Sequence, residues 1–128
     1  MDNIPKYISV DTMAAGPELE ALAAEMNMGW SKPENLTHYP LMMIDPQGQS
    51  NSVPQFSRDM TLAMQLIEKW EGILEMARSR SGNWNVRLID GEVVALAYAR
   101  TLPHAICRAA LKSVLPVPEV DYSEDDED

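Results

Sequence analysis

The stretch WNVRLIDGEVVALAYA, residues 84–99, decides the fold. Apolar and polar side chains alternate from Trp84 to Ile89, which is the period of a strand with one buried face. Asp90-Gly91 is a strong signal for a tight hairpin turn. The returning segment, Val93–Ala99, is apolar at almost every position, and we predict that it is the more central strand. The sequence therefore predicts an antiparallel hairpin at the centre of the fold.

A helix is predicted directly after this hairpin. Thr101 is a favourable N-cap residue, and Pro103 suits the first turn, where its missing N–H costs nothing. Arg108 and Lys112 are four residues apart and are predicted to lie on the solvent face, and Pro116 ends the helix. The predicted core face consists of apolar residues at helical spacing, namely Leu102, Ile106, Ala109, Ala110 and Val114.

Two further helices are predicted before the hairpin. Pro17–Met28 carries an apolar stripe at helical spacing, with Gly16 as N-cap and Gly29 as the stop. The second helix is predicted to begin at Ser57 as N-cap and to continue to about Arg78. Gly72 costs about 1 kcal/mol in a helix interior, so we expect a kink or a change of direction there.

The segment between these two helices contains a short strand. Residues 41–44 form an apolar run that ends in the turn signal Asp45-Pro46-Gln47-Gly48. Its partner is either residues 36–39 or residues 49–53. The fold class is therefore α+β, with a small, mainly antiparallel sheet covered by three helices. No glycine-rich loop joins a strand to a helix, which argues against a doubly wound nucleotide-binding fold.

Three blocks of sequence occur in a fixed order: residues 16–22 leading to 28–30, residues 54–59, and residues 102–112. Together they resemble the phage ABA sandwich domain family of small bacteriophage proteins. This resemblance implies an α/β/α sandwich and a phage or prophage origin, and it implies no established enzymatic activity. The long second helix through residues 70–77 and the acidic C-terminus depart from the family's pattern.

Charge is unevenly distributed along the 128 residues. Seven acidic side chains lie within residues 119–128, and removing them from a net charge of −10 leaves −3. The sequence predicts an N-terminal arm at 1–11, one domain at 12–118 and a disordered acidic tail at 119–128. This charge disfavours direct nucleic-acid binding, which needs a cationic surface.

The cellular location follows from two absences in the sequence. It has no apolar run of membrane-spanning length and no signal-peptide pattern at its N-terminus. Its single cysteine, Cys107, has no partner for an intramolecular disulfide. We therefore expect the cytoplasm of an infected bacterial host and no membrane partner.

Catalytic and metal-binding groups are sparse. His104 and Cys107 share a helix face, but a zinc site needs at least one further protein ligand. A triad of Ser57, Asp59 and His104 lacks the strained turn that exposes a nucleophilic serine. We expect no metal, no cofactor and no enzymatic activity.

Arginines and aromatic residues near element ends are the better candidates. Arginine binds phosphate in a bidentate manner, aromatic rings stack on bases, and helix N-termini attract anions. The candidate ligand-binding residues are Trp30, Ser57, Arg58, Trp84, Arg87, Tyr98, Arg100 and Thr101. The alternative is that the tryptophans fill the core and that the arginines are ordinary surface charges.

The function hypothesis is a phage accessory protein that acts by binding, in counter-defence. In its first form, a homo-oligomer sequesters a small anionic, nucleotide-type ligand. In its second form, the chain inhibits a host defence or nucleic-acid-binding protein directly, with the acidic tail as a nucleic-acid mimic. A structural or assembly role in the virion is the third form.

Overall fold

The computed structural model describes residues 9–115 and runs in the order helix, two strands, helix, three strands, helix. The predicted acidic tail lies outside the described residues, as does most of the predicted arm. Val10 is buried, and the 3-10 turn Val10–Thr12 contacts the last helix. The folded body therefore includes part of the predicted arm. No helix of the described part is long and apolar enough to cross a membrane.

The first helix, α1, spans Pro17–Met28, as the sequence predicts. Gly16 is its N-cap residue, and the N–H of Gly29 closes the C-terminal end on the carbonyl of Ala24. The buried face of α1 is made of Leu19, Glu20, Ala21, Ala23 and Ala24. It thus includes one carboxylate, Glu20, which the apolar pattern did not predict.

The next two strands form a sheet of their own. β1, Met42–Ile44, pairs antiparallel with β2, Ser50–Ser52. Asp45 holds the turn between them, because its side chain accepts hydrogen bonds from the N–H groups of Gln47 and Gln49. The second of the two predicted partner segments is thus confirmed, and Leu36–His38 forms a 3-10 turn instead.

The predicted long second helix is wrong in both its start and its end. α2 spans only Met60–Leu66 and has Asp59 as its N-cap residue. The chain then turns, and Ile73–Arg78 is a strand, β3. Gly72 lies just before β3 at a position where only glycine fits, because a Cβ on this residue would lie 2.0 Å from the carbonyl oxygen of Ile89. Apolar residues recur at helical spacing from Met60 to Leu74, which is why the sequence predicted one long helix. Leu74 and Met76 are also two residues apart, which is the spacing of one strand face.

β3 joins the predicted hairpin in a three-stranded antiparallel sheet of order β3-β4-β5. β4 spans Trp84–Asp90 and β5 spans Glu92–Ala99, with Gly91 between them at a φ of 80°. The prediction that residues 93–99 form the more central strand is wrong. β4 occupies the centre because β3, read as helix in the sequence, supplies its second neighbour.

The last helix, α3, spans Leu102–Val114 and has the predicted N-cap residue Thr101. α3 packs against β4 and β5, while α1 and α2 pack against α3. The contact with the sheet is close because the facing residues of β5 are small: Ala95, Ala97 and Ala99 are buried. The α+β class is confirmed, and in the described residues all three helices lie on one side of the three-stranded sheet.

Two side chains of α3 close the outer edge of β5. Lys112 Nζ donates to the carbonyl of Leu96 at 2.7 Å, and an Arg108 guanidinium nitrogen donates to the carbonyl of Tyr98 at 2.6 Å. Lys112 also bonds both carboxylate oxygens of Asp11 at 3.0 Å. These cations were predicted to lie on the solvent face, and they instead satisfy backbone acceptors that an edge strand leaves open.

We expect Gly72→Ala to destabilise the fold by about 3 kcal/mol, because a backbone carbonyl cannot move aside as a flexible side chain does. Gly48→Ala is the matched control. Gly48 has a φ of 88° but open space around it, so that change should cost only about 1 kcal/mol. Urea unfolding of both variants measures the difference, and equal losses would contradict this explanation of Gly72.

Candidate functional site

The eight predicted ligand-binding residues do not form one site. Ser57 and Arg58 lie before α2, and Trp30 lies in the loop after α1. The others are in or next to the three-stranded sheet: Trp84, Arg87, Tyr98, Arg100 and Thr101. Trp30 and Trp84 are half-buried and pack against the hydrophobic core, which agrees with the alternative reading of the tryptophans.

Ser57 belongs to a buried polar cluster that joins α1 to the segment before α2. Its hydroxyl donates to a carboxylate oxygen of Glu20 at 2.7 Å and accepts from the N–H of Gly16 at 2.9 Å. Ser57 and Glu20 are each only 1% exposed. Ser57 is therefore a buried link between α1 and the segment before α2. Its predicted role as a helix cap is wrong, because Asp59 caps α2, and its ligand-binding role stays a prediction.

Arg58 completes this cluster. Its Nε and one terminal nitrogen donate to the two carboxylate oxygens of Glu20 at 2.9 and 2.8 Å, a bidentate pair. The hydrogen bonds to Glu20 raise the pKa of the Arg58 guanidinium, and burial opposes this effect. Because its planar donor group is already occupied, Arg58 is poorly suited to bind a phosphate.

Arg87 lies on the face of the sheet opposite α3. Its guanidinium is 3.7 Å from a carboxylate oxygen of Glu75, its cross-strand partner on β3. Both side chains are about half exposed, so this pair is of the kind that contributes little to stability. By the strand register Tyr98 lies on this same face, whereas Arg100 and Thr101 lie at the start of α3.

A cleft of about 370 Å³ lies at the start of α3 and contains two of the predicted residues, Tyr98 and Arg100. Thr101 adjoins it as the N-cap residue of α3. None of the residues within 9–115 that line the cleft is acidic, although the chain is acidic as a whole. The cleft is lined by Ala14, Ala15, Asn83, Tyr98, Ala99, Arg100, His104 and Arg108.

Sequence analysis missed Asn83, His104 and Arg108 as members of this cleft. His104 Nε2 is 2.9 Å from the carbonyl oxygen of Met13, and one nitrogen of Arg108 donates to the same oxygen at 2.7 Å. The two residues are four apart on α3, a spacing that puts them on one helix face. That spacing was the available signal, but nothing in the sequence indicated that residues 13–15 would lie beside it.

Both groups have shifted titration behaviour. Burial lowers the pKa of His104, the hydrogen bond to Met13 opposes this, and the nearby Arg108 lowers it further. Burial is also the main cause that lowers the pKa of Arg108. Arg100 is exposed and has no hydrogen bond or ion pair within residues 9–115. It is thus the cation of the cleft that is available to a ligand.

A larger cleft of about 610 Å³ lies beside residues 12–18, Pro40 and Leu41. Among the described residues that line it, only Glu18 is charged, and most of this lining is apolar. A carboxylate at the rim of an apolar cleft repels anions, so this larger cleft does not suit the predicted ligand. The smaller cleft at the start of α3 has the appropriate chemistry.

The residues of the hypothetical triad have other partners. Ser57 bonds Glu20, the carboxylate of Asp59 caps α2 at the N–H of Leu62, and His104 bonds Met13. Cys107 is fully buried, and burial raises its pKa to about 12. Within residues 9–115, no three His, Cys, Asp or Glu side chains are grouped so that they could hold a metal ion.

We expect Glu20→Gln to destabilise the protein by about 2 kcal/mol, because the substitution removes charge-assisted hydrogen bonds with Ser57 and Arg58 in a buried site. Glu18→Gln, on the exposed side of α1, should cost less than about 1 kcal/mol. Denaturant unfolding at pH 7 compares the two variants. A Glu20→Gln protein as stable as the Glu18→Gln protein would exclude a stabilising role for the cluster.

His104 should make the fold less stable in acid. Its pKa is lower in the folded than in the unfolded chain, so the unfolded chain binds more protons as the pH falls through the histidine range. This contribution is fully present above the unfolded pKa of about 6.5 and is lost as the pH falls through the lower folded value. His104→Gln, which keeps a donor for Met13, should flatten the dependence of unfolding free energy on pH between 5 and 7.5.

The matched control for this measurement is His38→Gln, since His38 is the other histidine and is exposed. It should leave the pH dependence as in the unchanged protein. The assignment to His104 fails if the two variants show the same pH dependence.

The sequence model of the phage ABA sandwich domain family matches residues 21–111, and the chain therefore belongs to this family. The predicted resemblance is confirmed. A crystal structure of a phage protein from Bacillus cereus ATCC 14579 has the same fold, with a TM-score of 0.68 and 24% sequence identity. The match covers 84% of this chain and 99% of that one. Among curated proteins, none matches this chain.

Proposed function

We propose that this member of the phage ABA sandwich domain family acts by binding, and that its ligand is a small anion of the nucleotide type held in the cleft at the start of α3. The observation that carries the proposal is the lining of this cleft. It combines Tyr98, Asn83 and the positive end of a helix with Arg100, a cation that has no hydrogen bond or ion pair within residues 9–115, and none of its described lining residues is a carboxylate.

Each group has a role in such a complex. Arg100 pairs with a phosphate, since its guanidinium presents several donors in one plane. The peptide dipoles of α3 add positive potential at the same end of the cleft. Asn83 offers both a donor and an acceptor for a sugar or base.

Size and charge favour a small ligand over a nucleic acid. A cleft of about 370 Å³ lies within the range of small-molecule sites, which is about 300–1,000 Å³. A long polyanion would lie along much of the protein surface and would be repelled by the net charge of −10. A mononucleotide or cyclic dinucleotide would contact only the cationic cleft. Sequestration in this form needs no chemical step, so the proposal includes no enzymatic activity.

Membership in a phage family supports the setting that we propose, which is counter-defence in the cytoplasm of an infected bacterium. A protein that removes a nucleotide signal must be present in at least the amount of that signal. Assembly as a homo-oligomer fits this stoichiometric role. The face of the three-stranded sheet opposite α3 is left uncovered within residues 9–115.

That face also supports a second candidate, the direct inhibition of a host protein. Ile73, Val93 and Tyr98 each expose half or more of their surface there. Exposed apolar patches of this kind mark interaction sites in many proteins. In this version the chain binds a protein partner through the sheet face, or through the acidic residues 119–128 as a nucleic-acid mimic.

We expect Arg100→Ala to weaken binding of a nucleotide ligand by at least tenfold, since it removes a charge-assisted contact. Calorimetric titration of the full chain with ADP-ribose, a cyclic dinucleotide and inorganic phosphate measures this. Arg80→Ala is the control, because Arg80 is exposed and does not line the cleft. It should leave the affinity unchanged.

Deletion of residues 119–128 separates the candidates. It should have little effect on nucleotide affinity, whereas it should abolish activity if those residues act as a nucleic-acid mimic. The ligand proposal is rejected if purified protein releases no nucleotide on denaturation and none of the probes shifts its melting temperature.

A further inference from the structure

The three-stranded sheet has two outer edges, and the edge at β3 differs from the edge at β5. In an antiparallel sheet, the N–H and C=O groups of alternate residues point to opposite edges. The carbonyls of Leu96 and Tyr98 point to the free edge of β5, where Lys112 and Arg108 bind them. The register of β5 with β4, and then of β4 with β3, carries this alternation across the sheet. It follows that the backbone groups of Leu74, Met76 and Arg78 point to the free edge of β3.

These outward-pointing groups have no partner in the described part of the chain. Within residues 9–115, no backbone or side-chain group hydrogen-bonds to the outer N–H and C=O of Leu74, Met76 or Arg78. No residue of β3 is fully buried. The strand contains no proline and no bulge, which are two of the usual devices against edge pairing, although it carries two charged side chains, Glu75 and Arg78. The outer carbonyls of β5 are therefore bound by side chains, whereas the outer backbone groups of β3 are available to pair with another strand.

We propose that β3 is a self-association edge, and that its occupant is β3 of a second copy, paired antiparallel about a two-fold axis at Met76. This arrangement joins two three-stranded sheets into one continuous sheet with α3 of both copies on the same side. A two-fold axis perpendicular to the sheet keeps each face continuous, so only residues of equal parity can lie opposite one another.

The register about Met76 is the one that the strand itself favours. In it, Met76 faces Met76 of the second copy and Leu74 faces Arg78, so all three outward-pointing residues form hydrogen-bonded pairs. Moving the axis by one residue to Glu75 leaves Arg78 unpaired. It also sets Glu75 directly opposite Glu75 of the second copy, and like charges in that position are destabilising.

Side chains on both faces suit the Met76 register. On the α3 side, Leu74 and Met76 are only half-buried and already pack against the core, and the second copy covers what remains exposed. On the opposite face, Glu75 lies beside the small, uncharged Ala77 of the second copy. Methionine is flexible enough to pack against its own symmetry mate.

This interface stands apart from the anion cleft. The cleft adjoins the end of β5 and the start of α3, and none of its described lining residues belongs to β3, although Asn83 lies in the turn between β3 and β4. Loss of one therefore leaves the other intact, and the two proposals can fail separately. The inference supplies a geometry for the homo-oligomer that the proposed function includes.

Charge substitutions opposite one another test the register. Ala77→Glu sets a carboxylate beside Glu75 of the second copy in both symmetry-related pairs, and it should raise the dimer Kd about tenfold. Adding Glu75→Lys to Ala77→Glu should restore the dimer. Val93→Glu is the control, since it adds the same charge at an exposed site on β5. Sedimentation velocity of the full chain over a range of concentrations measures Kd.

Disulfide trapping provides a second, independent measurement. In the proposed register the Cα atoms at position 76 of the two copies are about 5.5 Å apart, which a disulfide can bridge. Met76→Cys should form a covalent dimer under mild oxidation, and Leu74→Cys should not, because it faces Arg78. The natural Cys107 is fully buried and does not interfere.

Circular dichroism and the melting temperature establish that each variant is folded. A dimer weakened by Ala77→Glu, unaffected by Val93→Glu and trapped at position 76 supports the proposal. A chain that is monomeric at every concentration overturns it, as does an oligomer that Ala77→Glu and Val93→Glu affect equally. A dimer that survives Arg100→Ala while nucleotide binding is lost supports the interface and keeps it distinct from the cleft.

Discussion

The close packing of α3 on β4 and β5 is the interaction on which the rest of the structure depends. α3 contacts the sheet on one side and both other helices on the other, so its buried residues extend around much of its circumference. A helix that is apolar on most of its sides is stable only when it is buried in a core. The alanines of β5 and of α3 bring the two backbones close together, and this proximity lets side chains as long as Arg108 and Lys112 reach past β5 to its outer carbonyls.

Several cations of this acidic protein are committed to contacts that hold the fold together. Arg58 is committed to Glu20, and Arg108 and Lys112 are committed to backbone carbonyls and Asp11. Arginine and lysine at such positions stabilise the fold by satisfying buried or edge acceptors. Arg100 is left exposed at the cleft. Its availability can be judged only after the other cations have been assigned, and that assignment requires the three-dimensional structure.

The sequence predicted an element correctly where the residues that determine it are close to it in the chain. The helix at Pro17–Met28, the hairpin about Gly91 and the helix after Thr101 have caps or turn residues within a few positions, and all three were predicted correctly. β3 was misread as helix because Gly72 is dictated by Ile89, far along the chain. For the same reason the contribution of residues 14–15 to the cleft was not predicted, although Tyr98 and Arg100, which also line it, were among the candidate residues.

The closed edge of β5 has a consequence for the size that an assembly can reach. A sheet with two open edges can add copies without limit and grow into a fibre, because each addition exposes a new edge. Here Lys112 and Arg108 occupy the outer carbonyls of β5, so a sheet extended through β3 presents only closed edges at both ends. Growth by strand addition therefore terminates after one step. Arg108 and Lys112, which also bind Met13 and Asp11 of the N-terminal segment, thus prevent a further strand from pairing with β5.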